Sequence, residues 1–201
     1  NPYHVVQSLK HGYRTFAKMG NDKDFRGVIL VRKDSGIRTV KDLKGKTVSY
    51  PAQSALAATL MPQYYLQTHG IDVNRDIRNI YVGSQESSIL NVFHGRVAAG
   101  GAWLVSWRIF MMEHPKQAGQ LVVRWTTEPL LDNGWIVRKD IPPPIADKVA
   151  HLLLHLHESE QGKALLQRLS QVRFDAASNA TYQPVHAFLE KYSGTVRRID
   201  H

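Results

Sequence analysis

The residues best suited to chemistry fall in two short polar segments. Tyr50-Pro51-Ala52-Gln53-Ser54 stands between an apolar strand-like run and a helix-forming run that begins at Ala55. Serine is a favoured N-cap, and a helix start exposes backbone N–H groups at the positive end of its dipole. Together these make an anion site. The small side chains of Ala55, Ala57 and Ala58 let a ligand come close to the backbone. The plain alternative is a cap whose only task is helix stability. Gly83-Ser84-Gln85-Glu86-Ser87-Ser88 repeats the arrangement. Here Ser84, Gln85 and Glu86 are the candidates, and a capping box containing Glu86 is the structural alternative. Two such turns on one parallel sheet would open on the same side, at the strands' carboxyl ends, where open α/β sheets bind ligands. Trp103, which follows the small-residue run Ala98-Ala99-Gly100-Gly101-Ala102, is placed to wall such a pocket. Trp107 reads equally well as core.

Other chemistries find no support. His151 and His155 sit four apart, with His157 and Glu158 close by. An i, i+4 pair can bind zinc, but no motif supplies a third ligand, so the face reads as solvated. There is no Gly-x-Ser-x-Gly elbow, Walker loop, Gly-x-Gly-x-x-Gly or His-Glu-x-x-His. No catalytic residue, metal or cofactor is therefore expected, and the chain does not read as an enzyme. The absence of cysteine removes disulfides, thiolate zinc sites and thiol catalysis together.

Charge narrows the partners. With 26 Lys+Arg against 17 Asp+Glu the net charge is +9, which favours anionic partners. The densest basic spots, Arg32-Lys33, Lys41–Lys46 and Arg197-Arg198, each have acids nearby. They form no stripe with interleaved aromatics, so nucleic acid is not expected. Apolar runs such as Gly27–Val31 fall far short of the roughly 20 residues that cross a bilayer, so membrane insertion is not expected. The 201 residues, 43% of them hydrophobic, suffice for one large domain or two small ones. The chain opens on Asn1-Pro2-Tyr3 without an initiator Met, and reads as a processed chain or a fragment from which any secretory signal would already be gone.

The elements that must position these residues alternate between helical and strand patterns, as in α/β folds. The pattern predicts a helix over Val5–Met19 and strands over Gly27–Arg32 and Lys46–Tyr50. A helix over Ala55–Thr68, a strand over Asn79–Val82 and a helix over Gln85–Phe93 follow. Further along it predicts a strand over Val97–Ala102, a helix over Leu104–Met112, and strands over Leu121–Thr126 and Gly134–Arg138. The last third reads as almost all helix, over Ile145–His157, Gln161–Leu169 and Tyr182–Tyr192. Turn residues at 32–38 and 126–142 mark two joints enclosing one α/β block, as if one lobe were inserted into another. The expected divisions are 1–32 (end of a first lobe and hinge strand), 33–128 (second α/β lobe) and 129–201 (return strand and helical remainder). The outer piece is expected to be almost without strands, its own sheet lying upstream of residue 1.

One ordered set of motifs is familiar. Val31-Arg32-Lys33-Asp34-Ser35-Gly36-Ile37, followed by Asp42-Leu43-Lys44-Gly45-Lys46, resembles the second-lobe entry of periplasmic solute-binding proteins. The best fit is the phosphate/phosphite/phosphonate-binding branch of ABC transporters. In that branch a Pro-containing turn and a Ser-bearing helix start come next, here Pro51 to Ser54. A Gly-Ser turn and a small-residue strand follow, here Gly83–Ser88 and Gly95–Gly100. The resemblance implies a type 2 periplasmic-binding-protein-like α/β fold, with one complete α/β lobe and a partial, mostly helical first lobe. It implies capture of a small phosphonate- or phosphate-like anion in an interlobe cleft, outside the cytoplasm, with an ABC permease as partner. The alternative is a ligand-sensing input domain that reports to a signalling or transcription-regulatory partner. Family members bring several hydroxyls to the first helix start and often a His to the second turn; this chain has Ser54 and Gln85 there. By the same resemblance Tyr3 and His4 lie near the cleft, and Asn133 completes the candidate set with Tyr50, Gln53, Ser54, Ala55, Ser84, Gln85, Glu86 and Trp103.

Overall fold

The architecture follows from where the strands find partners. In the computed structural model, residues 1–199 are described. They divide into two units. Unit 1 comprises Asn1–Asp24 and Leu130–Glu190, and unit 2 comprises Phe25–Pro129 and the segment that begins at Lys191.

Unit 1 is built on strands β1 (Tyr13–Met19), β7 (Gly134–Arg138) and β8 (Phe174–Ala176), in the order β7-β1-β8. Both pairings are antiparallel. This corrects the helix expected over Val5–Met19. Helix α1 (Pro2–Leu9) stops early, and Gly12, at φ 78°, turns the chain into β1. Glycine takes that left-handed backbone without strain, and beyond it Tyr13, Thr15 and Phe16 suit a strand better than a helix. The outer piece therefore holds a small sheet of its own, β8 included, where almost no strand was expected. Around it lie α6 (Pro143–Leu154), α7 (Glu160–Arg168) and the first part of α8 (Gln183–Thr195). On α6 the residues Ile145, Val149 and Leu152 are exposed, as are Leu165 and Leu169 on or beside α7.

Unit 2 holds a mixed five-stranded sheet in the order β4-β3-β5-β2-β6. Its strands are β2 (Gly27–Arg32), β3 (Thr47–Tyr50), β4 (Arg78–Tyr81), β5 (Ala99–Trp103) and β6 (Leu121–Thr126). β3 runs parallel to both β4 and β5, whereas β2 is antiparallel to β5 and β6. β2 is buried on both faces, which explains its unbroken apolar run. Val28 and Leu30 face a core shared with Ile89, Val92, Trp107 and Phe110, supplied by α3 (Gln85–Phe93) and α4 (Leu104–Glu113). Trp107 stacks on Phe110 with ring centroids 5.9 Å apart, so its packing reading holds. A short α5 (Pro115–Ala118) leads into β6.

The other face of the sheet carries a π-helical turn, Leu56–Leu60, that runs on into α2 (Met61–Thr68). This turn explains the small residues of the neighbouring strands. A Cβ on Gly101 would lie 2.3 Å from the Ala58 carbonyl oxygen, and one on Gly27 would lie 2.3 Å from that of Ala57. The approach that the small-residue strand anticipates is thus made by the protein's own helix.

The divisions also differ in detail from those expected. β2 pairs with β5 and β6 and so belongs to unit 2, not to a hinge before it. The chain passes from unit 1 to unit 2 after Asp24 and returns after Pro129. It passes to unit 2 once more inside α8, after Glu190.

Candidate functional site

Two of the polar turns lie side by side. β3 and β4 are parallel neighbours in register, Tyr50 opposite Tyr81. The ladder runs one step further through Val82 N–H to Tyr50 O and Gly83 N–H to Pro51 O, both 2.9 Å. Residues 51–55 and 83–85 therefore leave the sheet at the same edge and in the same direction. β5, parallel to β3 on its other side, ends at Trp103 and runs directly into α4. Three helix starts thus follow the carboxyl ends of three adjacent parallel strands, the usual place for a ligand in an open α/β sheet.

The first start is built differently from expectation. Ser54 caps nothing: the cap position is Ala55, with no side-chain hydrogen bond. The N–H groups of both Thr59 and Leu60 reach the Ala55 carbonyl, at 2.8 and 3.2 Å. The hydroxyl of Thr59 donates to Ala52 O at 2.7 Å and pins the turn. A helix start has no intrahelical acceptor for its first amides, and here those belong to Leu56, Ala57 and Ala58. Ser54, part-exposed, is left with its hydroxyl uncommitted, and Gln53 is exposed beside it. π-Turns of this kind are rare and gather at functional sites.

At the second start the capping alternative is correct for Ser84. Its oxygen accepts from Ser87 N–H at 3.0 Å, and its hydroxyl donates to that of Ser87 at 2.9 Å. Glu86 turns to His114, 3.4 Å away, and does not complete a box. Gln85 does something the sequence did not announce. Its Oε1 accepts the Trp103 N–H at 2.7 Å, which fixes the side-chain amide and leaves its NH2 group as a directed donor. The indole of Trp103 lies 5.9 Å from the Phe25 ring, and its Nε1 is buried without a protein partner.

Tyr50 is a correction. It is 0% exposed, packed against the Cα of Gly101 and 6.1 Å from the Tyr81 ring, so it belongs to the core beneath the turn. Burial holds its hydroxyl well above the usual phenol pKa, and that hydroxyl has no protein partner. Tyr3, His4 and Asn133 lie on unit 1. Tyr3 and His4 meet edge to face at 5.3 Å on α1, and Asn133 pairs its carbonyl with Met19 N–H at 2.9 Å. The rings of His151 and His155 lie tilted against each other, with centroids 4.1 Å apart. Among the described residues no group of three or more His, Asp or Glu is arranged to hold a metal ion.

One neighbour of the first turn was missed. Arg197 donates from Nη2 to the Gln53 carbonyl at 3.2 Å and lies over the Tyr192 ring, 5.7 Å from its centroid. Tyr192 is anchored in turn by its hydroxyl on Gln63 Oε1. The Arg197-Arg198 pair is visible in the sequence as a basic spot, but its place beside Gln53 depends on a contact across 144 positions that no local pattern carries.

A chain that leaves one α/β unit, builds a second around a mixed sheet and returns, with helix starts gathered at parallel strand ends, defines the class of type 2 periplasmic-binding-protein folds. The chain belongs to the family described as ABC transporter, phosphonate, periplasmic substrate-binding protein, whose model matches residues 1–182. It is 23% identical over 177 residues to the probable ABC transporter phosphite binding protein PhnD1 of Prochlorococcus marinus, covering 82% of this chain and 60% of that one. It is 24% identical over 163 residues to the phosphonates-binding periplasmic protein of Escherichia coli, covering 79% of this chain and 48% of that one. The chain therefore spans between about half and three fifths of the length of these relatives. The structure of P. marinus PhnD1 in complex with methylphosphonate superposes with a TM-score of 0.86 at 21% identity, over 98% of this chain and 77% of that one.

Proposed function

We propose that this chain is part of the periplasmic substrate-binding component of an ABC transporter, and that it captures a small phosphonate- or phosphate-like anion for delivery to a permease. The observation that carries the reading is the pair of helix starts at the adjacent carboxyl ends of β3 and β4. An anionic head group there would meet the amides of Leu56, Ala57 and Ala58, the Ser54 hydroxyl and the Gln85 NH2 group. Trp103 would stand beside the organic substituent, and Arg197 would add positive charge behind Gln53. No contact is assigned to Tyr3, His4 or Asn133. Family membership and the methylphosphonate complex of a relative support the same chemistry.

Calorimetric titration tests it. Methylphosphonate, phosphite or phosphate is expected to bind, and the uncharged diester dimethyl methylphosphonate is not. Ser54→Ala is expected to weaken the tightest of the three by roughly 1–3 kcal/mol, the worth of a hydrogen bond to a charged acceptor, or about 5- to 150-fold in Kd. Equal binding of the neutral diester, or no binding of any of the three anions, would overturn the reading.

A further inference from the structure

The opposite end of the unit 2 sheet carries a second concentration of positive charge. A cavity of about 480 Å³ is lined by Arg32, Lys46 and Arg96 together with Asp34. A second of about 430 Å³ is lined by Lys33, Arg38 and Arg124, again with Asp34. Sharing Asp34 and Ile37, the two cavities adjoin. Lys46 immediately precedes β3, Arg96 comes before β5, and Arg32 ends the antiparallel β2. These residues therefore lie at the amino ends of the strands whose carboxyl ends form the site above, a strand length of roughly 13 Å away.

The one acid lining these cavities is already neutralised. Arg32 grips Asp34 through Nε at 2.8 Å and Nη2 at 2.7 Å, while its Nη1 donates to the Phe93 carbonyl. Asp42, the next acid along, accepts the backbone amides of Arg38 and Thr39 at 2.9 and 2.7 Å, and Lys46 adds its field to that carboxylate. Arg124 has its Nε buried without a hydrogen-bond partner, an uncommitted donor held out of water. Lys33, Arg38, Lys46 and Arg96 are exposed. Like charges gathered around a concave surface raise the local concentration of counter-ions, and guanidinium forks suit phosphate oxygens in particular.

We infer that this end of unit 2 is a second anion-binding site, and that it takes a soluble oligophosphate of two or more linked phosphate groups. With Arg32 committed to Asp34, Lys46 and Arg96 remain in one of the two adjoining cavities and Lys33, Arg38 and Arg124 in the other. A single phosphate would engage one cavity and leave the other empty; a linked pair or triplet engages both. The inference stands apart from the proposed phosphonate site and survives its failure.

Inorganic tripolyphosphate titrated into the isotopically labelled chain, followed by amide chemical shifts, provides the test. Shifts are expected at residues 32–38, 46–47 and 95–98, with apparent affinity at least ten-fold above that for orthophosphate at the same amides. Raising ionic strength to about 0.5 M should weaken binding steeply, because these heads are exposed to solvent screening. The double variant Lys46→Glu/Arg96→Glu is expected to lose at least ten-fold in tripolyphosphate affinity while keeping its melting temperature, and the milder Lys46→Gln/Arg96→Gln to lose less. Shifts confined to residues 53–56 and 84–87, equal affinity for orthophosphate, or unchanged binding by the charge-reversed protein would each overturn the site.

Discussion

Gly101→Ala is expected to cost unit 2 about 3 kcal/mol and to lower its melting temperature by on the order of 10 °C. The added methyl would lie 2.3 Å from the Ala58 carbonyl oxygen and 2.7 Å from Tyr50 Cδ1. The first obstacle is backbone, in a turn held by Thr59 on Ala52, and the second is a fully buried ring. Neither can step aside, so the helix start must lift from the sheet. The anion binding proposed for Leu56–Ala58 should weaken with it, even in the fraction that remains folded. Gly194 is the control: it lies within α8 with nothing in reach of an added Cβ. Gly194→Ala should stabilise by up to about 1 kcal/mol, through helix propensity alone. Melting curves of the two variants beside the parent decide it; a Gly101→Ala protein as stable as the parent would mean the close approach is absent.

Asp132→Asn is the second large effect, with the opposite sign. Asp132 is 1% exposed. Its Oδ1 accepts the Asn133 N–H at 2.7 Å, but its Oδ2 is buried without a partner. Burial, with Asp22 and Asp24 nearby, pushes its pKa up from 3.8 to about 6, and the Asn133 amide and Lys18 only partly offset this. A carboxyl whose folded pKa is raised binds more protons in the folded state. Its contribution is most favourable below pH 4 and is lost as the pH climbs through 6. At neutral pH the ionised group therefore costs unit 1 about 2–3 kcal/mol. The amide removes that cost and keeps the acceptor for Asn133. Urea unfolding at pH 4.5 and 7.5 should show the variant gaining most at pH 7.5 and the parent losing stability between the two, to a degree the variant does not share. Equal gains at both pH values would place the cause elsewhere.

What the sequence disclosed and what it withheld divide along physical lines. Gly27–Arg32, Gln85–Phe93, Leu121–Thr126 and Gly134–Arg138 emerge with the bounds expected for them, because in each the apolar pattern agrees with the partners the segment meets. Tyr13–Met19 was hidden because its residues also fit a helical stripe, and only pairing with β7 and β8 decides between the two. Convergence of the two polar turns was legible, since strand-to-helix turns on parallel neighbours must open alike. The role of Ser54 was not: its capping chemistry is local, but the π-turn that displaces it packs against Gly27 and Gly101, on strands far off in the sequence. Arg197 and the Gln85–Trp103 bond are tertiary facts of the same kind.

That last bond makes one further behaviour follow. With the Gln85 carbonyl tied to the main chain of Trp103, anything that draws on the Gln85 amide group also tugs at the backbone bearing an indole packed on Phe25. An anion bound at the strand ends, as proposed, would thereby change the environment of a natural fluorophore and give the molecule an optical gauge without a label.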